Sequence, residues 1–471
     1  MSSSSLLNRT LGLRLAIVMV IGNIIGSGIY KKVAPMAAEL HSSGWIIVCW
    51  ILGGIITMFG ALSNAEIASM LADTGGEYVY YKKIYNRFFS FLYGWSNFVA
   101  IKSAAIASIA YVFAQSLYSI IPIPSVLSSL KDFQILGIFY PFEGFNIKIT
   151  AILLILILTG YNSLGLKPGA GLSTLLLLLV LAGVLTIIFF GISSPEANIS
   201  SSFSFDTTNS ESVTMSAIFT AMLAAFWAYE GWNSVGFLGG EIKNPHRNVP
   251  LSIASGLLIV IVLYVFTNIA YLSLISTGSL EQINAAGNSI AAVEAVKVFW
   301  NTNGVIFISL LILLSTFGCT HATILTNART PFAMAKEGLF FKKMSKVNSA
   351  KVPSNALWYQ GIWASILVLS GTFDQLTDML IFAAFIFYGA TALGVFILRR
   401  KMPLAPRPYK VWGYPIVPGI FVIFCLFLIV NTIIARPREA SIGLVLIGAG
   451  IPFYYWFKRI NKKTGTELLN K

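Results

Sequence analysis

Residues 22–30 read GNIIGSGIY in the middle of a stretch that is otherwise largely apolar. The whole stretch, residues 13–40, exceeds the roughly 20 residues that an α-helix needs to cross a membrane. Its glycines let the backbone leave helical geometry. Free N–H and C=O groups at membrane depth are tolerated only where they line a cavity or meet a ligand. The pattern therefore predicts a broken membrane helix with a binding site at the break.

The rest of the chain has the composition of a membrane protein. Of its 471 residues, 56% are apolar and 11% are charged, whereas soluble domains carry about 25% charged residues. The predicted fold class is an all-α membrane protein with twelve transmembrane helices. These are spans 1 to 12, at residues 13–40, 44–71, 89–120, 148–163, 168–192, 214–242, 250–276, 303–337, 355–372, 376–400, 414–435 and 440–460.

The distribution of lysine and arginine predicts the orientation. With the amino terminus inside, 24 of the 32 basic residues fall in inside segments, seven fall outside, and Lys102 lies within span 3. Because basic residues favour the cytoplasmic face, both termini, including the tail 461–471, are predicted to be cytoplasmic. The expected location is the plasma membrane, which is the inner membrane in a bacterium. The net charge of +14 then reflects topology and lipid headgroups, and no nucleic-acid partner is expected.

A second candidate break lies in span 6, where AYEGWN (228–233) precedes three further glycines. Breaks in the first and sixth spans are typical of inverted five-plus-five repeats around a mid-membrane substrate site. Simple kinks that allow close packing are the alternative. The predicted organisation is one transporter domain, 1–460, with repeats at 13–192 and 214–400 and two extra helices at 414–460.

The chemistry of the two breaks suggests the substrate. The helix end near Ser27 and Gly28 offers N–H donors and a positive dipole to a carboxylate. Carbonyl oxygens at the breaks suit an ammonium group, and they belong to Asn23, Ile24, Trp227 and Ala228. An α-amino acid carries both groups and is the predicted substrate.

At these residues the chain resembles the amino acid, polyamine and organocation superfamily, and within it the L-type amino acid transporter family. The resemblance runs from about Arg9 to Arg459. It rests on GNIIGSGIY (22–30), NAEIASMLADTGGEYVYY (64–81), AYEGWN (228–233), GGEIKNPHRNVPLSI (239–253), NARTPFAMAKEGLF (327–340) and PRPYKVWGYPIVP (406–418). It implies the twelve-helix, LeuT-like fold, alternating access, and amino acid transport that is usually exchange.

The resemblance also implies roles for individual residues. Ser27 and Gly28 would hold the substrate carboxylate, Gly26 would permit the turn, and the carbonyls named above would receive the amine. Trp227 would cover the substrate as a gate, although a Trp that only packs is the alternative. Spans 1, 2, 6 and 7 would rock against spans 3, 4, 8 and 9.

Glu230 departs from many relatives, which carry a small neutral residue at this position. A carboxylate at the bilayer midplane is costly and calls for a partner. Three roles stay open: a structural pairing or capping role, a preference for cationic substrates, and proton uptake during transport.

Span 5 departs from the family pattern as well. Many sodium-independent relatives place a lysine where this chain has Val180. The hydroxyls of Ser315, Thr316 and Thr320 could supply oxygen ligands to a cation instead. Hydroxyls in membrane helices more often bond their own backbone, and no metal or cofactor is predicted.

Further candidates have open roles. Lys102 could snorkel, pair with Glu230, or face an aqueous path. Glu66 falls in a family motif and is expected to support the inner gate, and His321 could titrate or simply pack. Span 10 contributes aromatic residues that could line the site or belong to the core, namely Phe382, Phe385 and Tyr388.

The predicted function is sodium-independent exchange of neutral amino acids. Proton- or sodium-coupled symport and transport of cationic amino acids or polyamines are the alternatives. An enzyme is not expected, because the three histidines lie far apart and the sequence has no G-x-S-x-G motif. Animal relatives pair with a glycoprotein through a cysteine between spans 3 and 4. Residues 121–147 contain no cysteine, so no disulfide-linked heavy subunit is expected.

Overall fold

The computed structural model describes residues 9–71, 73–121, 127–130, 132–134, 141–208, 212–286, 290–370 and 373–463. These residues form helices and contain no β-strand, only two isolated backbone bridges. Ten of the described helices are long and apolar enough to cross a membrane. The predicted all-α membrane class is therefore confirmed. Most of the predicted tail, residues 464–471, lies outside the described residues.

The helices follow the predicted spans because each apolar stretch satisfies its backbone hydrogen bonds within itself. Span 1 is divided into Leu13–Ile24, Gly28–Lys31 and Val33–Leu40. The remaining spans correspond, in order, to Ser43–Met70, Arg87–Ile120, Phe145–Asn162, Leu166–Ser193, Met215–Tyr229, Pro245–Leu274, Ala291–Asn327, Ser354–Ser370, Phe373–Lys401, Ile416–Ala435 and Pro437–Lys463.

Several elements differ from the prediction in their bounds. Span 6 is broken after Tyr229, within the predicted AYEGWN segment, but its short second helix ends at Phe237, before the predicted boundary at 242. The helix of span 8 begins early, at Ala291, and bends at Asn301, whose φ is +49°. An additional helix, Thr277–Ala286, has the polar composition TGSLEQINAA and therefore escapes detection by hydropathy.

Burial separates the central helices from the peripheral ones. In its most apolar window Arg87–Ile120 is 89% buried, whereas Ile416–Ala435 is 33% buried and Pro437–Ile460 is 22% buried. The two extra helices therefore lie at the edge of the bundle. Large apolar side chains remain exposed on the outer surface, including Ile157 and Phe189, both 65% exposed, as expected for a surface that faces lipid.

Candidate substrate site

The first break interrupts span 1 after Ile24. A second helix starts at Gly28, and its first N–H groups have no partner within the helix. The described backbone hydrogen bonds do not use the N–H groups of Gly26, Ser27 or Gly28. The Ser27 hydroxyl is also buried without a hydrogen-bond partner in the described part of the chain. This side of the break therefore presents unused donors.

The other side of the break presents carbonyl oxygens that neighbouring helices hold in place. Three side chains donate to them: Cys319 Sγ to Asn23 O (3.3 Å), Tyr264 OH to Ile24 O (3.1 Å) and Ser315 Oγ to Ile25 O (3.1 Å). A carbonyl oxygen has two lone pairs. The oxygens of Asn23 and Ile24, two residues that line the cavity described below, can therefore each accept a second hydrogen bond.

The second break follows Tyr229, and the two breaks touch each other. Gly231 has a φ of +114°, a conformation that L-residues rarely adopt. A Cβ atom at Gly231 would lie 2.4 Å from the backbone oxygen of Asn23, and one at Gly28 would lie 2.5 Å from Cα of Ala228. Glycine is therefore required at both positions for the two breaks to meet.

A pocket with about 360 Å³ of empty space lies between the breaks. Seven of the predicted substrate residues line it, namely Asn23, Ile24, Gly26, Ser27, Gly28, Trp227 and Glu230. Ala228, the eighth, packs against Gly28 instead. Trp227 is 5% exposed, and its indole N–H has no partner among the described residues.

A buried ion pair forms one wall of the cavity. Lys102 Nζ lies 2.7 Å from Glu230 Oε1, and the two side chains are 2% and 7% exposed. Tyr388 donates its hydroxyl to the same carboxylate at 2.7 Å, and Lys102 also donates to Asn233 Oδ1 at 3.3 Å. Of the three alternatives that the sequence left for Lys102, the structure shows pairing with Glu230. The Glu230 carboxylate is thus bound by both Lys102 and Tyr388.

A change in helical winding precedes Lys102. Residues Asn97–Ile101 form a turn of π-helix within the otherwise α-helical segment Arg87–Ile120. Such turns insert one extra residue and are frequent at functional sites. The Ser103 hydroxyl donates to the carbonyl of Phe98, five residues earlier, at 2.6 Å. The turn thus sets the direction in which Lys102 leaves the helix.

Glu77 belongs to the same polar network and was missed as a candidate, although it lies within the TGGEYVYY part of the family motif. Its carboxylate accepts hydrogen bonds from Asn233 (2.7 Å), Asn64 (2.9 Å) and Tyr93 (3.2 Å). Burial raises the pKa of the Glu77 carboxyl above its ordinary value, whereas the hydrogen bonds from Asn233 and Asn64 and the charge of Lys102 act in the opposite direction. Through Asn233, the network connects the cavity wall to the segment that follows span 2.

Val180 and Ser315 line a second cavity, of about 260 Å³ of empty space, behind the first break. Most of its lining is apolar, and no described lining residue carries a carboxylate. Thr316 does not line this cavity; it donates to the carbonyl of Ile312 in its own helix at 2.6 Å. The buried Thr320 hydroxyl has no hydrogen bond among the described residues.

The remaining candidates lie away from the cavity. Glu66 binds Arg399 (2.7 Å) and accepts from the backbone N–H of Val411 (2.7 Å), which ties the end of span 2 to the segment after span 10. His321 is buried and its ring contacts Tyr161. Two of the span 10 aromatics, Phe382 and Phe385, are buried, and neither is among the described residues that line the cavity.

Two broken helices that meet around a pocket lined by free backbone groups, inside a bundle of apolar helices, define a membrane transport protein. A sequence model of the amino acid permease family matches residues 11–457. The chain therefore belongs to this family, and its relatives place it among the L-type amino acid transporters.

The relatives are similar over nearly their whole length. A serine/threonine exchanger of Bacillus subtilis is 32% identical over 96% of this chain and 98% of its own. The b(0,+)-type amino acid transporter 1 of Mus musculus is 29% identical over 96% of this chain and 88% of its own. A human cystine/glutamate transporter is 26% identical over 97% and 87%, respectively.

Proposed function

We propose that this protein is a secondary transporter that exchanges neutral L-amino acids across the plasma membrane by alternating access, without sodium. The observation that carries the proposal is the meeting of two helix breaks around one pocket, with unused donors on one side and carbonyl oxygens on the other. A zwitterion matches both sides. The bacterial relative named as a serine/threonine exchanger supports exchange of small neutral amino acids.

In the proposed complex the substrate carboxylate binds the unused donors. These are the backbone N–H groups at Gly26, Ser27 and Gly28 and the Ser27 hydroxyl, at the positive end of a helix dipole. The substrate ammonium binds the carbonyl oxygens of the two breaks, which are those of Asn23, Ile24, Trp227 and Ala228. The Trp227 indole covers the bound substrate as a gate.

Glu230 holds Lys102 in this proposal and does not recruit a cationic substrate. The ion pair at 2.7 Å and the hydroxyl of Tyr388 already occupy the carboxylate. A paired carboxylate adds little net negative charge to the cavity, so the site favours substrates with uncharged side chains. Glu230 is thus assigned the first of its three roles, as a structural partner.

The proposed independence from sodium rests on the second cavity. A hard cation prefers several oxygen ligands, whereas the surroundings of Val180 are mostly apolar. The Ser315 hydroxyl already donates to Ile25. In this proposal the hydrogen bond from Ser315 to Ile25 stabilises the first break. It replaces the lysine that many relatives have in span 5.

The proposed architecture has twelve spans with both termini in the cytoplasm. The shorter helices Met215–Tyr229 and Ser354–Ser370 complete the ten longer ones. The repeats are 13–192 and 214–400, with extra helices in 414–460 of a single domain, and spans 1, 2, 6 and 7 rock against spans 3, 4, 8 and 9. The three cysteines are buried, so we propose no disulfide-linked partner.

Reconstituted vesicles test the function directly. Proteoliposomes are loaded with alanine, leucine, serine, arginine or no amino acid, and uptake of labelled alanine, serine or arginine is measured with and without sodium at two pH values. We expect uptake of neutral amino acids only into vesicles loaded with neutral amino acids, independent of sodium. Accumulation in empty vesicles under a sodium or proton gradient would contradict exchange, and arginine as the preferred substrate would contradict the role given to Glu230.

Ser27→Leu tests the position of the carboxylate. The larger apolar side chain fills the donor side of the cavity, so we expect amino acid binding to be lost in protein that remains folded. Ser255→Leu, at a partly exposed position of Pro245–Leu274, is the control and should bind as the parent does. Binding is measured on purified protein whose folding is checked by its melting temperature. Unchanged affinity in Ser27→Leu would refute the assigned site.

A further inference from the structure

Two adjacent lysines follow the first break, and no role has been assigned to them. Lys31 and Lys32 end the short helix that starts at Gly28. Lys32 is 1% exposed, so its ammonium group is enclosed by protein. Burying an ammonium group costs several kilocalories per mole unless it is paired. The Lys32 side chain therefore has to be held by specific contacts, and Lys31 beside it is partly exposed.

Both ammonium groups converge on one aromatic ring. Lys31 Nζ lies 4.6 Å and Lys32 Nζ lies 4.7 Å from the ring centre of Phe373, at the start of Phe373–Lys401. These distances are typical of cation–π interactions, which are stronger when the groups are removed from water. Phe373 is itself buried, with 2% of its surface exposed. We call Lys31, Lys32 and Phe373 the lysine clasp.

The lysine clasp joins three helices at one end of the cavity. Lys31 donates to Gln115 in Arg87–Ile120 at 3.1 Å, and Lys32 donates to Thr377 in Phe373–Lys401 at 2.9 Å. The clasp thereby connects the half-helix after the first break to span 3, which lines the cavity, and to span 10.

The lysine clasp also contacts Trp227, the residue proposed to cover the bound substrate. The ring of Phe373 meets the indole of Trp227 edge to face, with 5.8 Å between the ring centres. Trp227 lines the cavity directly. The short helix therefore begins beside Ser27 and Gly28, which are proposed to bind the substrate carboxylate, and ends at the two lysines of the clasp.

We propose that the lysine clasp is a gate that closes the cavity on the side of Phe373, and that movement of the helix after the first break releases it. In the orientation of the proposed function, on which this inference rests, this side faces outward. Substrate at Ser27 acts on the same rigid segment as the clasp, which couples occupation of the site to closure of the gate.

Modification of Cys319 measures the opening of this gate, because its thiol lines the cavity and forms a mixed disulfide with a methanethiosulfonate, which releases methanesulfinate. The full-length protein with Cys49→Ala and Cys425→Ala keeps Cys319 as its one reporter. Reconstituted vesicles are treated from one face at a time with an anionic and a cationic methanethiosulfonate reagent. Loss of positive charge alone would change the two rates in opposite directions, whereas opening accelerates both.

Phe373→Leu removes the ring and keeps an apolar side chain, so we expect modification from one face to accelerate about tenfold with both reagents, since it loses both cation–π contacts. Phe373→Tyr keeps the ring and should react as the parent does. Lys31→Met, at a partly exposed position, should give a smaller acceleration of about threefold and is informative even if Phe373→Leu does not fold.

Several outcomes would overturn the gate: unchanged rates in Phe373→Leu and Lys31→Met, equal acceleration from both faces, or acceleration in Phe373→Tyr as large as in Phe373→Leu. The assay needs no transport, so it supports or overturns the gate separately from the proposed amino acid exchange. Acceleration from the cytoplasmic face alone would support the gate and reverse the proposed orientation.

Discussion

Gly231→Ala is expected to abolish amino acid exchange. The φ of +114° is unfavourable for alanine, at a cost of about 1–3 kcal/mol. The added Cβ would also lie 2.4 Å from the backbone oxygen of Asn23, where no flexible side chain can give way. The two breaks would have to separate, and the carbonyl proposed to bind the substrate ammonium would move. Exchange in proteoliposomes and substrate binding in detergent measure the loss.

Gly22→Ala is the matched control for this variant. Gly22 lies in the same region of span 1, in ordinary helical conformation, and a Cβ there would meet no atom within 4 Å. Alanine in the interior of a helix is favoured over glycine by about 0.5–1 kcal/mol. We expect Gly22→Ala to retain exchange and melt no lower than the parent. Parental exchange by Gly231→Ala would mean that the contact between the breaks is not required.

The Lys102 and Glu230 pair is expected to show strong energetic coupling. Removing one partner of a buried ion pair leaves the other charge unpaired, at a cost of about 3–5 kcal/mol. Lys102→Met and Glu230→Gln should each lower the melting temperature sharply. The double variant should be more stable than the sum of the two losses predicts, because it leaves no unpaired charge.

An exposed pair on the same protein provides the comparison. Glu294 and Lys297 are 3.6 Å apart, with side chains 37% and 58% exposed, and such pairs contribute about 0–1 kcal/mol. The corresponding cycle with Glu294→Gln and Lys297→Met should show almost no coupling. If the losses at Lys102 and Glu230 were simply additive, the pair would not act as a unit. The substrate preference of Glu230→Gln then tests its role: a selective loss of arginine exchange would favour recruitment of cationic substrates.

Sequence patterns predicted the parts of the fold that depend on local composition. Apolar stretches located the long helices because a helix in lipid must be apolar over its whole length. The glycine clusters located both breaks, since a break needs residues without a Cβ where two backbones approach closely. Gly231 and Gly28 are such positions.

Contacts between distant parts of the chain could not be predicted in the same way. Lys102 and Glu230 are 128 positions apart, and the sequence left three roles open for each. Glu77 follows span 2, and only folding brings it to Asn233. Lys31 lies within predicted span 1, and its position beside Phe373 depends on how spans 1 and 10 pack.

The hydrogen bonds at the first break bear on whether the protein needs a bound amino acid in order to fold. Side chains of Tyr264, Ser315 and Cys319 already satisfy one lone pair on each freed carbonyl. Leaving such groups unsatisfied in a membrane interior costs several kilocalories per mole. The carbonyl side of the break therefore needs no amino acid to satisfy it, and only the donors at Gly26, Ser27 and Gly28 are left for the substrate. The purified protein should accordingly keep its fold in amino-acid-free buffer.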